Sequence, residues 1–206
     1  SMVRDCCGGQ AQEFDTGGDP AWSKYCEIAG GKTASLLAGA VEGGALFDPT
    51  ANDNPIRSRC CHQLALVYQM LNDTRNIVTS KNSKSPSSDF SNRRPNVVIV
   101  LFRDSLSVEE REGFDVSLSG KTQVNRSFDT LTENAWWERL VTSDISRTVE
   151  DKIASIMRDT ESDFEQLSPA MQQIISPLLT HAIEVVAEQN LALRNQSTLY
   201  AKNRNG

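Results

Sequence analysis

Tyr25-Cys26-Glu27-Ile28-Ala29-Gly30-Gly31-Lys32-Thr33-Ala34-Ser35-Leu36 lies inside a proline-free run from Trp22 to Phe47. Along it Ile28, Leu36, Leu37, Ala40, Val41 and Leu46 recur at helical spacings between small residues, which predicts long helix. Each glycine inside a helix costs ~1 kcal/mol relative to Ala. Gly30, Gly31 and Gly39 are therefore expected to be offset by close backbone approach of another element or a ligand.

Outward from this run the helical pattern continues. Asp48 to Pro55 is a turn-rich break, and Ile56 to Ser80 carries Leu64, Val67, Tyr68, Leu71 and Val78 on one broad face, as a buried helix would. Residues 81–96, rich in Ser, Asn and Pro, read as a loop. Val97 to Phe102 passes for a buried strand on propensity alone, although its neighbours are all helical. Ser107-x-x-Glu110 fits a capping box, and Asp144 is placed to cap a helix whose Ile145, Val149, Ile153 and Ile156 face a core or interface. Ser168-Pro169 opens a last helix, which Pro177 is expected to bend. Residues 1–20, with Gly8, Gly9, Gly17 and Gly18, read as a loop or frayed end. The expected organisation is one all-α domain over 21–206, with the loop 81–96 and a preceding segment 1–20.

Composition narrows the function classes. The chain has 206 residues and a formal net charge of −6, from 21 Lys+Arg and 27 Asp+Glu. This acidic balance lacks the basic stripe that nucleic-acid binding requires, so no DNA or RNA partner is expected. No run approaches the ~20 apolar residues of a membrane span, and no export signal is evident. A cytoplasmic protein is expected. Ser1 before Met2 resembles a tag-cleavage scar. Cys6, Cys7, Cys26, Cys60 and Cys61 are odd in number and lie partly in adjacent pairs, which suits reduced thiols; a zinc site with His62 is the alternative, without C-x-x-C spacing.

Standard catalytic signatures, G-x-S-x-G, H-E-x-x-H and G-x-G-x-x-G, are absent, and His62 and His181 lie far apart in sequence. Gly30-Gly31-Lys32-Thr33 resembles the end of a phosphate loop, but lacks that motif's first glycine and its preceding strand. Gln69, Asn72, Asp73 and Asn76 fall at i, i+3, i+4 and i+7, on one helical stripe. Such oxygens suit a hard cation such as Mg2+, or equally an exposed helix end with Asn-Asp capping. Lys32 by itself would suit a solvated surface. Trp136-Trp137 reads as packing or a partner surface, and Glu109-Glu110-Arg111-Glu112 as a solvated face.

Taken in order, these residues resemble the second half of the trans-isoprenyl diphosphate synthase (polyprenyl synthetase) family. Gly9-Gln10-x-x-Glu13-Phe14-Asp15 is similar to its G-Q-x-x-D segment, and Tyr25 to Leu36 to its Y-x-x-I-x-x-x-K-T-A-x-L helix, followed by G-A at Gly44-Ala45. Tyr68 to Asn76 occupies the place of F-Q-x-x-D-D-x-x-D. Lys84, Asp89 and Arg93-Arg94 resemble the segment G-K-x-x-x-x-D-x-x-x-x-K, with Val97 to Phe102 as the apolar helix after it. The resemblance implies an all-α bundle or barrel around a deep apolar cavity, and prenyl transfer from an allylic diphosphate to isopentenyl diphosphate. By it, Lys32, Thr33 and Gln69 are the catalytic candidates. Lys32, Lys84, Arg93 and Arg94 would bind diphosphate, and Asn72, Asp73 and Asn76 would hold Mg2+. Metal ions and cations stabilise charge developing on the departing diphosphate, while a dry cavity protects the allylic cation.

This chain departs from the family pattern twice. Asn72-Asp73-x-x-Asn76 has one carboxylate where the family usually has three, so metal affinity is expected to be lower. The family's first Asp-rich motif precedes its G-Q segment, and no Asp-Asp pair occurs in these 206 residues. The resemblance therefore implies a fold without its N-terminal helices here and inactive alone, either a fragment of a longer synthase or a barrel completed by a second chain carrying D-D-x-x-D or by another copy. A non-catalytic regulatory subunit of a prenyl synthase is the alternative. A terpene cyclase-like part is a further one, although Asn76 and Ser80 stand where the N-D-x-x-S-x-x-x-E motif has Ser and Glu.

Overall fold

Leu64, Ala65, Leu66 and Val67 are four consecutive buried residues, flanked by buried Cys60, Cys61, Met70 and Leu71. A helix with one apolar stripe covers a core, whereas one buried on every side runs through it. The helix Pro55–Ser80 is that axis. The computed structural model describes residues 2–14, 21–46, 55–80, 86–119 and 132–204. In chain order they form α1 (Met2–Phe14), α2 (Trp22–Ala29), a π-helical turn (Gly30–Ala34), α3 (Ser35–Ala45), α4 (Pro55–Ser80), α5 (Ser88–Ser91), α6 (Val97–Ser105), α7 (Val108–Ser119), α8 (Glu133–Thr142), α9 (Ile145–Glu165) and α10 (Pro169–Arg204). The central α4 lies along α9 and also meets the π turn, α3, α6 and α10. There is no strand among the described residues, and none of their helices is long and apolar enough to cross a membrane.

Several expectations change in the structure. Residues 2–14, read as loop because of Gly8 and Gly9, are helical, and Gly9 is buried against the π turn. Tertiary contact outweighs the helix penalty of glycine there. Val97 to Phe102 is the helix that the resemblance implies, against the strand that its propensity alone suggests. Asn96 caps it by accepting from the Val98 N–H at 2.9 Å, the Asp73 carboxylate accepts from the Val97 N–H at 3.1 Å, and five of its apolar side chains are buried. Satisfied first-turn donors and burial outweigh a β preference spanning only ~1 kcal/mol. Within the expected loop 81–96, Ser87 caps the short helix α5, while residues 81–85 lie outside the described residues. Asp144 does precede α9, yet its side chain makes no capping bond.

Other signals stand as read. The Ser107 Oγ accepts from the Glu110 N–H and the Glu110 carboxylate accepts from the Ser107 N–H, completing the capping box. Ser168 caps α10 through the Met171 N–H. Ile145, Val149, Ile153 and Ile156 are buried. Trp136 and Trp137 pack: Trp136 lies edge-on to Phe114 at 5.2 Å and Trp137 edge-on to Phe90 at 5.4 Å. Glu110 and Arg111 are only half exposed, because Glu110 pairs with Arg139 and Arg111 donates to the Asp104 and Leu106 carbonyls. All five cysteines are free thiols, with Cys60 and Cys61 buried. Burial pushes the thiols of Cys60 and Cys61 up, to about 12 and about 11.

Candidate functional site

At Gly30–Ala34 the helix widens by one residue. The Ser35 N–H reaches back to the Gly30 carbonyl, and the Ser35 hydroxyl donates to the Gly31 carbonyl at 2.7 Å. Such bulges re-aim side chains and recur at functional sites. The widened turn carries Lys32 and Thr33, both half-buried. The Thr33 hydroxyl donates to Gln69 Oε1 at 3.3 Å, bringing together two residues 36 apart in sequence.

From Gln69 the polar chain continues inward. Gln69 Nε2 donates to Asp73 Oδ1 at 2.7 Å, while Asp73 Oδ2 accepts from the Tyr25 hydroxyl at 2.9 Å and the Val97 N–H at 3.1 Å. Asn96 Nδ2 donates to the Asp73 carbonyl at 3.2 Å and to Asp89 Oδ2 at 3.1 Å. One carboxylate thus joins α2, α4 and the start of α6, and each donor and acceptor in this buried knot has a partner, as burial demands. Asp73 is only 3 % exposed. Burial pushes its carboxyl up to about 7; the three donors pull it down, and Asp89 adds to the rise. The Tyr25 hydroxyl is held well above its ordinary value, first by burial and then by Asp73.

The remaining candidates separate. Asn72 and Asn76 are exposed on the same helix that buries Asp73. Arg93 is exposed, with φ at 57°, in the left-handed region that favours glycine; its N–H donates to the Phe90 carbonyl and that of Arg94 to the Asp89 carbonyl. Arg94 is half-buried on the same turn, which Asp89 and Asn96 tie to the Asp73 knot. Lys84 lies outside the described residues.

The Mg2+ expected on Asn72, Asp73 and Asn76 finds no fit in this arrangement. Both Asp73 oxygens already accept hydrogen bonds from the protein, its two neighbours are neutral carboxamides, and no group of three or more His, Cys, Asp or Glu suited to a metal occurs among the described residues. A zinc set with His62 is likewise not formed by the described residues. Asn96 belongs to no functional motif of the sequence. An Asn directly before an apolar run is a capping signal that could have marked it.

No family model and no curated protein matches the sequence. Among solved structures, heptaprenyl diphosphate synthase from Staphylococcus aureus superposes with a TM-score of 0.65 at 17% identity, over 90% of this chain and 57% of that one. The chain thus spans little more than half the length of that enzyme. It has an all-α fold similar to that of a helical isoprenyl synthase.

Proposed function

We propose that this chain supplies the diphosphate-receiving wall of a prenyl transfer site, of the kind that joins an allylic diphosphate to isopentenyl diphosphate. The observation that carries this reading is the meeting of the Lys32–Thr33 turn with Gln69, within a fold similar to that of a prenyl synthase. In such a reaction the allylic carbon–oxygen bond breaks, diphosphate leaves with the electron pair, and the isopentenyl double bond attacks the resulting cation before a proton is lost. Lys32, with Arg93 and Arg94 of the turn after α5 and with Lys84, would neutralise the departing oxygens. The Thr33 hydroxyl oxygen and the Gln69 carbonyl oxygen to which it donates would stabilise the developing cation, and apolar helices would keep water from it.

The residues present do not compose a metal cage. A second chain carrying D-D-x-x-D is therefore part of the proposal. The test incubates this chain, alone and with such a partner, with isopentenyl and allylic diphosphates and Mg2+. Product is expected only with the partner, and a diphosphate-dependent rise in Tm is expected for the chain alone, absent in Lys32→Ala. Absence of both turnover and stabilisation in both samples overturns the proposal.

The saturated hydrogen bonding of Asp73 favours a second reading, a non-catalytic subunit that binds and regulates a true synthase. Under it, Lys32→Ala leaves both complex formation and the activity of the complex unchanged.

A further inference from the structure

The Lys32–Thr33 turn is gripped from two sides at glycines. On one side a Cβ at Gly9 of α1 would stand 2.5 Å from the Lys32 nitrogen, 2.6 Å from the Gly31 carbonyl carbon and 2.9 Å from the Gly31 Cα. These are backbone atoms, which have little room to give. On the other side, a Cβ at Gly30 would collide with the imidazole of His62 on α4. One turn further back on α1, the Cys6 thiol donates to the Lys32 carbonyl at 3.5 Å. Gly8, beside Gly9, has nothing within 4 Å of its Cβ position. Of these two adjacent glycines, Gly9 faces the turn's backbone and Gly8 faces open space. A π turn is a rare backbone form that persists where its surroundings hold it.

We infer that Gly9 is a positioning residue: its missing side chain lets α1 seat directly on the Gly31–Lys32 backbone and fix the direction in which Lys32 and Thr33 project. The inference deepens the proposed function, on which its diphosphate readout rests, while its backbone readout stands apart from that proposal. Neither Gly9 nor Cys6 touches substrate in this scheme. Each acts through the turn.

The sign of the substitution effects makes the inference testable in the full chain. Alanine is a better helix former than glycine, so Gly8→Ala is expected to raise Tm. Gly9→Ala is expected to lower it and to speed amide exchange across 30–35 at least ten-fold relative to α9. If wild type binds inorganic diphosphate, Gly9→Ala is expected to weaken that binding about ten-fold. Should Gly9→Ala fail to fold, Cys6→Ala removes the second contact without adding volume and is expected to speed exchange at 30–35 two- to three-fold. Wild-type exchange at 30–35 in Gly9→Ala, or in Cys6→Ala where that variant must stand in, overturns the inference. An absence of diphosphate binding by wild type counts against the proposed function alone, and the exchange comparison still decides the role of Gly9.

Discussion

Near its start α4 reaches across to Asp163 of α9 through Arg59, whose guanidinium donates two parallel hydrogen bonds at 2.6 and 2.5 Å. Near its end α4 carries Asp73, whose oxygens accept from Gln69, Tyr25 and the Val97 N–H, all neutral donors. Both aspartates are buried, at 5 % and 3 % exposure, yet they titrate in opposite directions. The hydrogen-bonded Arg59 holds the Asp163 carboxyl below the ordinary carboxylate range, whereas burial lifts Asp73 to about 7. At Asp163 the hydrogen bonds of a cationic donor, helped by its charge, outweigh desolvation, and at Asp73 the hydrogen bonds of three neutral donors do not. Asp163 is therefore an ionised clamp, while Asp73 is a hydrogen-bonding hub whose carboxyl titrates well above the ordinary carboxylate range.

The largest effect that probes this contrast is expected from Asp73→Ala, which strands three buried donors from two other parts of the chain and from α4 itself. A loss of roughly 4–5 kcal/mol is expected at pH 6, or about 10 °C in Tm for a chain of this size. A loss below about 1 kcal/mol would show that water re-satisfies the donors and that the hub contributes little.

Next comes the pH dependence. The folded-state pKa of Asp73 lies above its unfolded value, so its contribution is fully present below about pH 4 and declines as pH rises through about 7. Urea midpoints of wild type against the non-titrating Asp73→Asn are expected to diverge by about 3–4 kcal/mol across that window. A constant difference between the two proteins would break the contrast.

Asp163 has the opposite sign: its contribution is present above its unfolded value near 3.8 and is lost as pH falls through the depressed folded value. Arg59→Ala is expected to lower Tm less than Asp73→Ala, because Arg59 lies half in water, and to move acid unfolding to higher pH. The smallest effect belongs to the turn beside the hub. Arg93→Gly relieves the left-handed backbone and is expected to add about 1 kcal/mol of stability. On the proposed function it would also weaken diphosphate-dependent stabilisation. A gain in stability without that loss removes Arg93 from the diphosphate set.

Much of the scaffold is legible without coordinates, because caps and periodic apolar positions are local signals. The capping box at Ser107 and Glu110, the Ser168 cap and the buried stripe of α9 are examples. The glycine-rich run around Lys32 also announces a close approach, although the approaching element is α1, in a segment whose composition suggests a loop. The helix at Val97 to Phe102 combines a local signal, the Asn96 cap, with an acceptor that the local pattern does not show, Asp73 24 residues upstream of the first amide.

The candidate site divides the same way. Spacing alone places Gln69, Asn72, Asp73 and Asn76 on one stripe, and the order of motifs brings Lys32 and Thr33 into the same set. Only the tertiary structure decides that Asp73 turns inward to Tyr25, 48 residues away, and to the first amide of α6, while Asn72 and Asn76 face outward. Residue order along one helix fixes which side chains share a face. Whether a carboxylate on that face meets water, a metal or a buried donor depends on desolvation and partners brought in by other helices, which the local pattern does not encode.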